Sequence, residues 1–414
     1  MKILIVNTSD IQGGAARAAY RLHKALLGGG VDSQMLVQSK SSDDFTVQTM
    51  ASTKIQKGLN KLRPTLDSIP VRFYKNKTKT LFSPSWLPFS GIVDRINEIN
   101  PDIVHLHWIC GGMMRVEDMT RIKAPIVWSL HDNWAFTGGC HIMWECEKYK
   151  EECGTCPRLG SDKENDLSRK IFKRKQKAFN VKKDMTIVGL SKWLNDASKS
   201  STLLKDKNHI NLPNPIDTNI FKPFDKEKAR ELWSLPKDKK LVLFGAMGAT
   251  SGINKGFKEL SEAMSKMEQT NEIEFVVFGS SKPQNAPEFG FKTHYLGSLA
   301  DNVSLVTLYS AVDIMIVPSL QENLSNAIME SLACATPVVG FNIGGNSDMI
   351  EHKKYGYLAK PFDINDLKDG IEWILNNEYY DELCQNAREK VMREFDNKIV
   401  AQQYIELYKE ILHG

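Results

Sequence analysis

Short apolar runs recur along the chain, each followed by a longer stretch in which apolar residues return every three or four positions. The runs read as buried strands and the stretches as amphipathic helices, an alternation that predicts parallel sheets covered by helices. In the first half, strands are expected at Ile3–Val6, Ile103–His107, Ile126–Leu130 and Thr186–Leu190. In the second they are expected at Leu241–Phe244, Phe275–Phe278, His294–Leu296, Ile314–Val317 and Pro337–Gly340. Helical periodicity runs from about Ala15 to Leu27, from Ser325 or Asn326 onward, and from Asn397 to Leu412. The two halves share a style of fold without internal repetition of sequence.

Between them lies HINLPNPIDTNIFKPF, residues 209–224, with three prolines and no periodicity, which reads as an interdomain hinge. The expected organisation is a first domain over 1–208, a second over 209–394 and a closing helix over 395–414. A chain of 414 residues has room for two domains of ordinary size. At 42% hydrophobic and 25% charged residues, the composition is that of a soluble globular protein rather than a disordered one. A net charge of +4 is small for this length and implies no nucleic-acid surface. One lysine followed by Ile3–Val6 is too short for the apolar core of a signal peptide, and no run approaches the ~18 apolar residues of a membrane span. The expected location is cytoplasmic, with any membrane contact peripheral, on the inner face of the cytoplasmic membrane.

The candidate chemistry concentrates in residues 317–348, VPSLQENLSNAIMESLACATPVVGFNIGGNSD. Strand, loop and helix in that order build a phosphate site. Loop amides and the first free N–H groups of the helix point one way, and the helix dipole favours an anion there. Glu322 in the loop and Glu330 on the helix bracket the site without filling it, a placement suited to gripping the hydroxyls of an attached sugar or ribose. Two solvated surface glutamates are the plainer alternative. Lys255, in a loop after the first strand of the second half, either neutralises a departing diphosphate or is an exposed loop lysine. Gly13 and Gly14 follow the first strand without the third spaced glycine of a dinucleotide fingerprint, which disfavours NAD. Arg17, in the next helical turn, adds positive charge there or is solvated. His131 ends the strand Ile126–Leu130, where a histidine is either a core residue or faces a ligand. Of the pair His105 and His107, on one face by period two, His107 reads as ligand-facing and His105 as structural.

Pro318-Ser319, Glu322, the apolar helix through Glu330, the Pro337-Val338-Val339 run and Gly344-Gly345 together resemble the signature of retaining glycosyltransferase family 4. The hallmark of that family is Glu, seven residues, Glu. Pro213-Asn214-Pro215-Ile216-Asp217 resembles the family's interdomain linker. The resemblance implies an α/β chain of GT-B fold, two doubly wound Rossmann-like domains facing a cleft, with the closing helix crossing back to the first domain. It implies transfer of a hexose from a nucleoside-diphosphate sugar, UDP- or GDP-linked, with retention of anomeric configuration. By the same resemblance Glu322 holds the donor sugar and Glu330 the ribose hydroxyls. Lys255 and the amides of Leu324, Ser325 and Asn326 take the diphosphate, and Ser280 and Ser281 contact the base. Gly13 and Gly14 lie against the donor phosphate and sugar, and His131 hydrogen-bonds the sugar. The chain departs from the pattern at Ala246, where many relatives carry Arg, and at Asp348, the nearest counterpart of a glutamate often found after the glycines. No Asp-x-Asp triplet occurs and no catalytic metal is expected. A GT-B epimerase or phosphorylase is a second reading, although no pyridoxal lysine pocket can be found. A catalytically silent subunit that binds nucleotide sugar or glycan is a third.

Two further features stand outside this frame. Cys140, Cys146, Cys153 and Cys156 fall within a Cys-rich insertion over 138–160 and include Cys-Gly-Thr-Cys, a spacing suited to zinc thiolates. Disulfides are disfavoured in a cytosolic chain. Structural zinc is the expectation, with His141 as a possible substitute ligand and packed reduced thiols or a redox pair as alternatives. The run from Trp128 to His141 resembles a family 4 subgroup that builds exopolysaccharide and O-antigen chains, colanic-acid-type enzymes included. Residues 54–79 hold Lys54, Lys57, Lys61, Arg63, Arg72, Lys75, Lys77 and Lys79 against the single acid Asp67. With Leu59, Leu62, Leu66, Val71 and Phe73 interleaved, this stretch either lies on an anionic membrane or forms a solvated helical face. A lipid-linked glycan acceptor would account for the first.

Overall fold

The computed structural model describes every residue except 52, 246–251, 269, 280–289 and 300. Ala246, Ser280 and Ser281 therefore lie outside the described residues. The chain forms two compact units, Met1–Pro215 with Val400–Gly414, and Ile216–Ile399. The break falls inside the Pro213–Asp217 motif rather than at 208, and the closing segment of the first unit starts at Val400 rather than 395.

The first unit holds seven parallel strands: β1 (Lys2–Ser9), β2 (Asp32–Ser39), β3 (Val47–Thr49), β4 (Ile103–Leu106), β5 (Ile126–Leu130), β6 (Met185–Gly189) and β7 (Asn208–Asn211). Their order is β3-β2-β1-β4-β5-β6-β7. The central strands are apolar without alternation because helices cover both sheet faces, so a residue pointing either way is buried. Register pairs Ile3 with Ile103 and Val104 with Ile126, which brings the carboxyl ends of β1, β4 and β5 side by side. Trp128, Phe172 and Phe179 fill the core between them and the covering helices. The closing helix, Asn397–His413, belongs to this unit from Val400 on. Its Tyr404 and Tyr408 are buried, and Tyr408 Oη lies 2.6 Å from His105 Nδ1.

The second unit holds six parallel strands: β8 (Lys240–Gly245), β9 (Ile273–Phe278), β10 (Thr293–Tyr295), β11 (Ile314–Val317), β12 (Val338–Phe341) and β13 (Gly356–Ala359). Their order is β10-β9-β8-β11-β12-β13, around a core that includes Phe244, Phe275 and Phe341. β8, β11 and β12 are neighbours, so the loops that follow them, bearing Lys255, Glu322 and Gly344, open at one edge of the sheet. Ligands of such sheets bind beyond the carboxyl ends of the strands. Among the described residues, no helix is long and apolar enough to cross a membrane.

Candidate functional site

In the second unit the chain locks three loops together. Asn254 Nδ2 donates to the Gln321 carbonyl at 2.6 Å, and the Leu320 amide donates to the Asn254 carbonyl at 3.0 Å. Gly256 has φ +69°, and a Cβ there would stand 1.8 Å from the Pro318 carbonyl oxygen. Gly344 has φ +52°, and a Cβ there would stand 1.8 Å from the Glu322 carbonyl oxygen. Both positions therefore require glycine twice over, for backbone conformation and for room. The result places Lys255 Nζ 3.5 Å from Glu322 Oε2, which also accepts from Ser319 Oγ at 3.1 Å.

Ser325 caps the helix Asn326–Ala333, its hydroxyl accepting from the Ile328 amide. The helix starts where the sequence pattern places it. Leu324, Ser325 and Asn326 thus lie at the junction of loop and helix, beside the Lys255–Glu322 pair in the fold. Glu330 is different from Glu322. It is only 3% exposed, and Tyr309 donates to its Oε2 at 3.1 Å. Substituting Gly256 by Ala is expected to push the 252–256 loop off Pro318. Adverse φ alone costs about 1–3 kcal/mol. A drop in melting temperature with a larger loss of ligand affinity would register it, and unchanged affinity would count against the loop geometry as the organiser of Lys255.

In the first unit, Gly13 has φ +99°, and a Cβ there would meet open space. It immediately precedes the helix Gly14–Gly28, with Arg17 in its first turn. His131 directly follows β5 and is half-buried. Its Nε2 lies 2.8 Å from His107 Nδ1, and the His107 and His105 rings meet tilted by 33° at 4.4 Å between centroids. His105 is fully buried, bound at Nδ1 by Tyr408 and at Nε2 by Ser129 Oγ at 2.8 Å, so its part is structural. His107 is also buried and backs His131 rather than presenting itself. Burial pulls His131 down to about 4, against the opposing effect of Asp132, and pulls His105 down to about 3. His107 is held well below the ordinary value by burial and by its two histidine neighbours. All three are neutral imidazoles at pH 7, able to donate at one nitrogen and accept at the other.

Sequence reasoning missed the cluster next to them. Asp132 Oδ2 accepts from Trp108 Nε1 at 3.0 Å and pairs with His141 Nδ1 at 2.7 Å, while Oδ1 accepts from the Trp134 amide at 2.9 Å. Burial raises the Asp132 pKa, but His141 and the Trp134 amide outweigh it, and the net shift is downward. His141 Nε2 meets Ser83 Oγ at 2.8 Å. With both ring nitrogens engaged, His141 is no substitute ligand for the cysteines. Lys175 is fully buried; it donates to the Trp134 and Thr137 carbonyls, and burial brings its pKa down to about 7. It ties the turn that joins Asp132 to the Cys-rich segment.

Cys140, Cys146, Cys153 and Cys156 line one cavity of about 20 Å³. All four are free thiols, and Cys153 Sγ accepts from the Gly138 amide at 3.2 Å. Burial pushes Cys153 up to about 12 and raises Cys156 as well. Among the described residues, no group of three or more His, Cys, Asp or Glu stands in metal-holding geometry.

Residues 225–392 match the family model described as glycosyl transferases group 1. An uncharacterized glycosyltransferase of Methanocaldococcus jannaschii is 22% identical over 350 residues, covering 79% of this chain and 86% of that protein. The N,N'-diacetylbacillosaminyl-diphospho-undecaprenol alpha-1,3-N-acetylgalactosaminyltransferase of Campylobacter jejuni is 29% identical over 217 residues, 50% of this chain and 56% of that protein. Among solved structures, Anabaena HepE in complex with UDP-glucose is similar with a TM-score of 0.67 at 15% identity, over 99% of this chain and 100% of that one. At that identity the structural likeness speaks for the fold, two Rossmann-like units of GT-B type. Together the family match and the sequence relatives support a GT-B glycosyltransferase.

Proposed function

We propose that the chain is a retaining glycosyltransferase that moves a hexose from a UDP- or GDP-sugar to a glycan acceptor, lipid-linked, in the assembly of a surface polysaccharide. The observation that carries this reading is the Lys255–Glu322 pair at 3.5 Å, fixed by two obligatory glycines beside a Ser-capped helix start. A cation and an amide-rich helix terminus suit a diphosphate, and a carboxylate beside them suits sugar hydroxyls. HepE is named in complex with UDP-glucose, and the Campylobacter relative is named for a diphospho-undecaprenol acceptor, which supports these classes of donor and acceptor.

In the proposed reaction the acceptor oxygen bonds to the anomeric carbon as the bond from that carbon to the phosphate oxygen breaks. The acceptor attacks from the side the phosphate leaves, and the departing phosphate takes its proton. Lys255 and the amides at 324–326 stabilise charge growing on the diphosphate. Glu322 orients the sugar hydroxyls and Glu330 holds the ribose. In the first unit, His131, as a neutral imidazole, is able to donate to or accept from a sugar hydroxyl. A thermal-shift panel of UDP-sugars, GDP-sugars, NAD and ATP tests the donor class. A ligand at 100 times its Kd stabilises the native state by about 2.7 kcal/mol. A nucleoside-diphosphate sugar should raise the melting temperature where NAD does not; no response to any such sugar would overturn the reading. Binding without transfer to any glycan would instead favour the silent subunit.

We also propose a structural zinc on Cys140, Cys146, Cys153 and Cys156, supported by their convergence on one small cavity and the Gly138 amide aimed at Cys153 Sγ. The thiols would have to turn inward to ligate it. One zinc per chain is expected by elemental analysis of the purified protein, with loss of metal and stability in a Cys153→Ser, Cys156→Ser double variant. A metal-free, fully stable protein would leave packed thiols as the answer.

A further inference from the structure

The helix Lys54–Asp67 is mounted inside out. Its inward contacts are polar. Arg63 Nε donates to the Gly112 carbonyl at 2.6 Å and its Nη2 to the Pro88 carbonyl at 3.0 Å. Asn60 Nδ2 donates to the Gln38 carbonyl at 3.0 Å. The Asp67 carboxylate accepts from the Ser85 and Trp86 amides at 3.2 and 3.1 Å. A capping box at Thr53 and Gln56 secures the start of the helix. These bonds fix both the rotation of the helix and the face it turns outward.

That outward face is apolar. Ile55 is 76% exposed, Leu59 56%, Leu62 55% and Leu66 42%. At about 100° per residue these four fall within roughly 60° of arc, a continuous stripe. The stripe is extended along the chain by Ile69 and Phe73, the latter 80% exposed. An amphipathic helix of a globular protein ordinarily turns such a stripe to the core. Here the core side is held by hydrogen bonds and the stripe is left to solvent. Lys54 and Lys61 are exposed on one flank of it, about 110–130° round the helix from its centre, Arg72 and Lys75 are exposed beyond the helix end, and the one acid of the stretch, Asp67, is buried.

We propose that this face docks on an anionic lipid bilayer, the helix lying in the interface plane. A partner for it must be apolar along the stripe and negative beside it. A bilayer containing acidic lipids has both properties, its acyl boundary taking the leucines and its headgroups the lysines. A second copy of the chain meets the first requirement but not the second, since the basic rims would face one another.

Sedimentation of the full chain with vesicles tests the proposal, using phosphatidylcholine alone and with about one third phosphatidylglycerol. These vesicles carry no glycan acceptor and no nucleotide sugar, so the outcome is separate from the fate of the proposed reaction. Binding to acidic vesicles is expected to exceed that to neutral ones at least tenfold and to weaken with salt. The double variant Leu59→Glu, Leu62→Glu should lose it at least tenfold with an unchanged melting temperature, because both side chains are exposed. Lys54→Glu, Lys61→Glu should lose the preference for acidic lipid. Failure of the parent chain to bind acidic vesicles, or undiminished binding by the leucine variant, overturns the proposal. So does a concentration-dependent dimer that the leucine variant abolishes, which would assign the face to a second copy.

Discussion

Replacing Glu322 by Ala is expected to cut sugar transfer about 10²–10³-fold in kcat/KM, the range seen when one aimed polar group is removed from a charge-stabilising site. The side chain meets Ser319 Oγ and Lys255, and it sits on a loop held by the close approach of Gly344 to the Glu322 carbonyl and by the bond from the Asn254 side chain to the Gln321 carbonyl. Its loss should therefore leave the fold and the melting temperature nearly unchanged. Removing the carboxylate also frees Lys255 from its ion pair. Affinity for the diphosphate portion should hold or rise slightly while turnover falls, and this split separates a sugar-orienting role from a phosphate-binding one. Glu322→Gln, which keeps shape and hydrogen-bonding atoms, should recover part of the rate. Steady-state transfer and binding of the bare nucleoside diphosphate, measured on the same preparations, check both halves. Undiminished transfer by Glu322→Ala would remove Glu322 from the site.

Much of the fold was legible because parallel strands buried on both faces are written as unbroken apolar runs. Each of the nine strands expected from sequence corresponds to an observed one within a few residues. The strands that escaped are those whose pattern is weak. β2 begins Asp32-Ser33-Gln34, polar residues that are accommodated because β2 pairs along nearly all of β1. β7, Asn-His-Ile-Asn, is an edge strand that runs from Asn208 into the start of the stretch read as a hinge. Its polarity suits a sheet edge, and only pairing with β6 identifies it. β3, three residues long, is too short to show a period, and β13, Gly-Tyr-Leu-Ala, lacks the run of large aliphatic residues that marks β11, a strand of the same length.

Of the candidate site, sequence reasoning brought together the residues that one motif spells out. Lys255 lies 67 positions before Glu322, and the two meet because β8 and β11 are neighbours in the sheet. What it could not show was depth. Glu322 and Glu330 look equivalent in sequence, yet one stands in a loop and the other is buried against Tyr309. Nor could it show which side chains serve others. Trp108, Asp132 and His141 come from three separate segments, and their hydrogen bonds depend on the parallel register of β4 and β5. The adjacent pairs His107-Trp108 and His131-Asp132 were the one signal available, each standing at a strand end.

Acidification is expected to unfold the first unit in a window that histidines set. His23 is buried between Ser33 and Thr46 and is brought down to about 4 by burial. His105 and His131 fall to about 3 and about 4, and His107 lies well below the ordinary value. In the unfolded chain each takes up a proton near 6.5. Between that value and the folded values the unfolded state binds more protons, so stability rises with pH across the window and is lost as pH falls through it. One pH unit of depression is worth about 1.4 kcal/mol, so even two such groups remove a sizeable part of a stability of ~5–15 kcal/mol. Carboxylates held low, such as Asp44 and Asp132, add to the loss only nearer pH 4, where their unfolded forms protonate, and Asp67, pushed up by burial, acts in the opposite sense. The melting temperature of the first unit should therefore fall steeply between pH 6.5 and 4.5. His105→Gln keeps hydrogen-bonding groups for Tyr408 and Ser129 without the titration. That variant should be somewhat less stable at pH 7.5 yet lose less on acidification. An acid limb as steep as that of the parent chain would place the sensitivity elsewhere than in the buried histidine row.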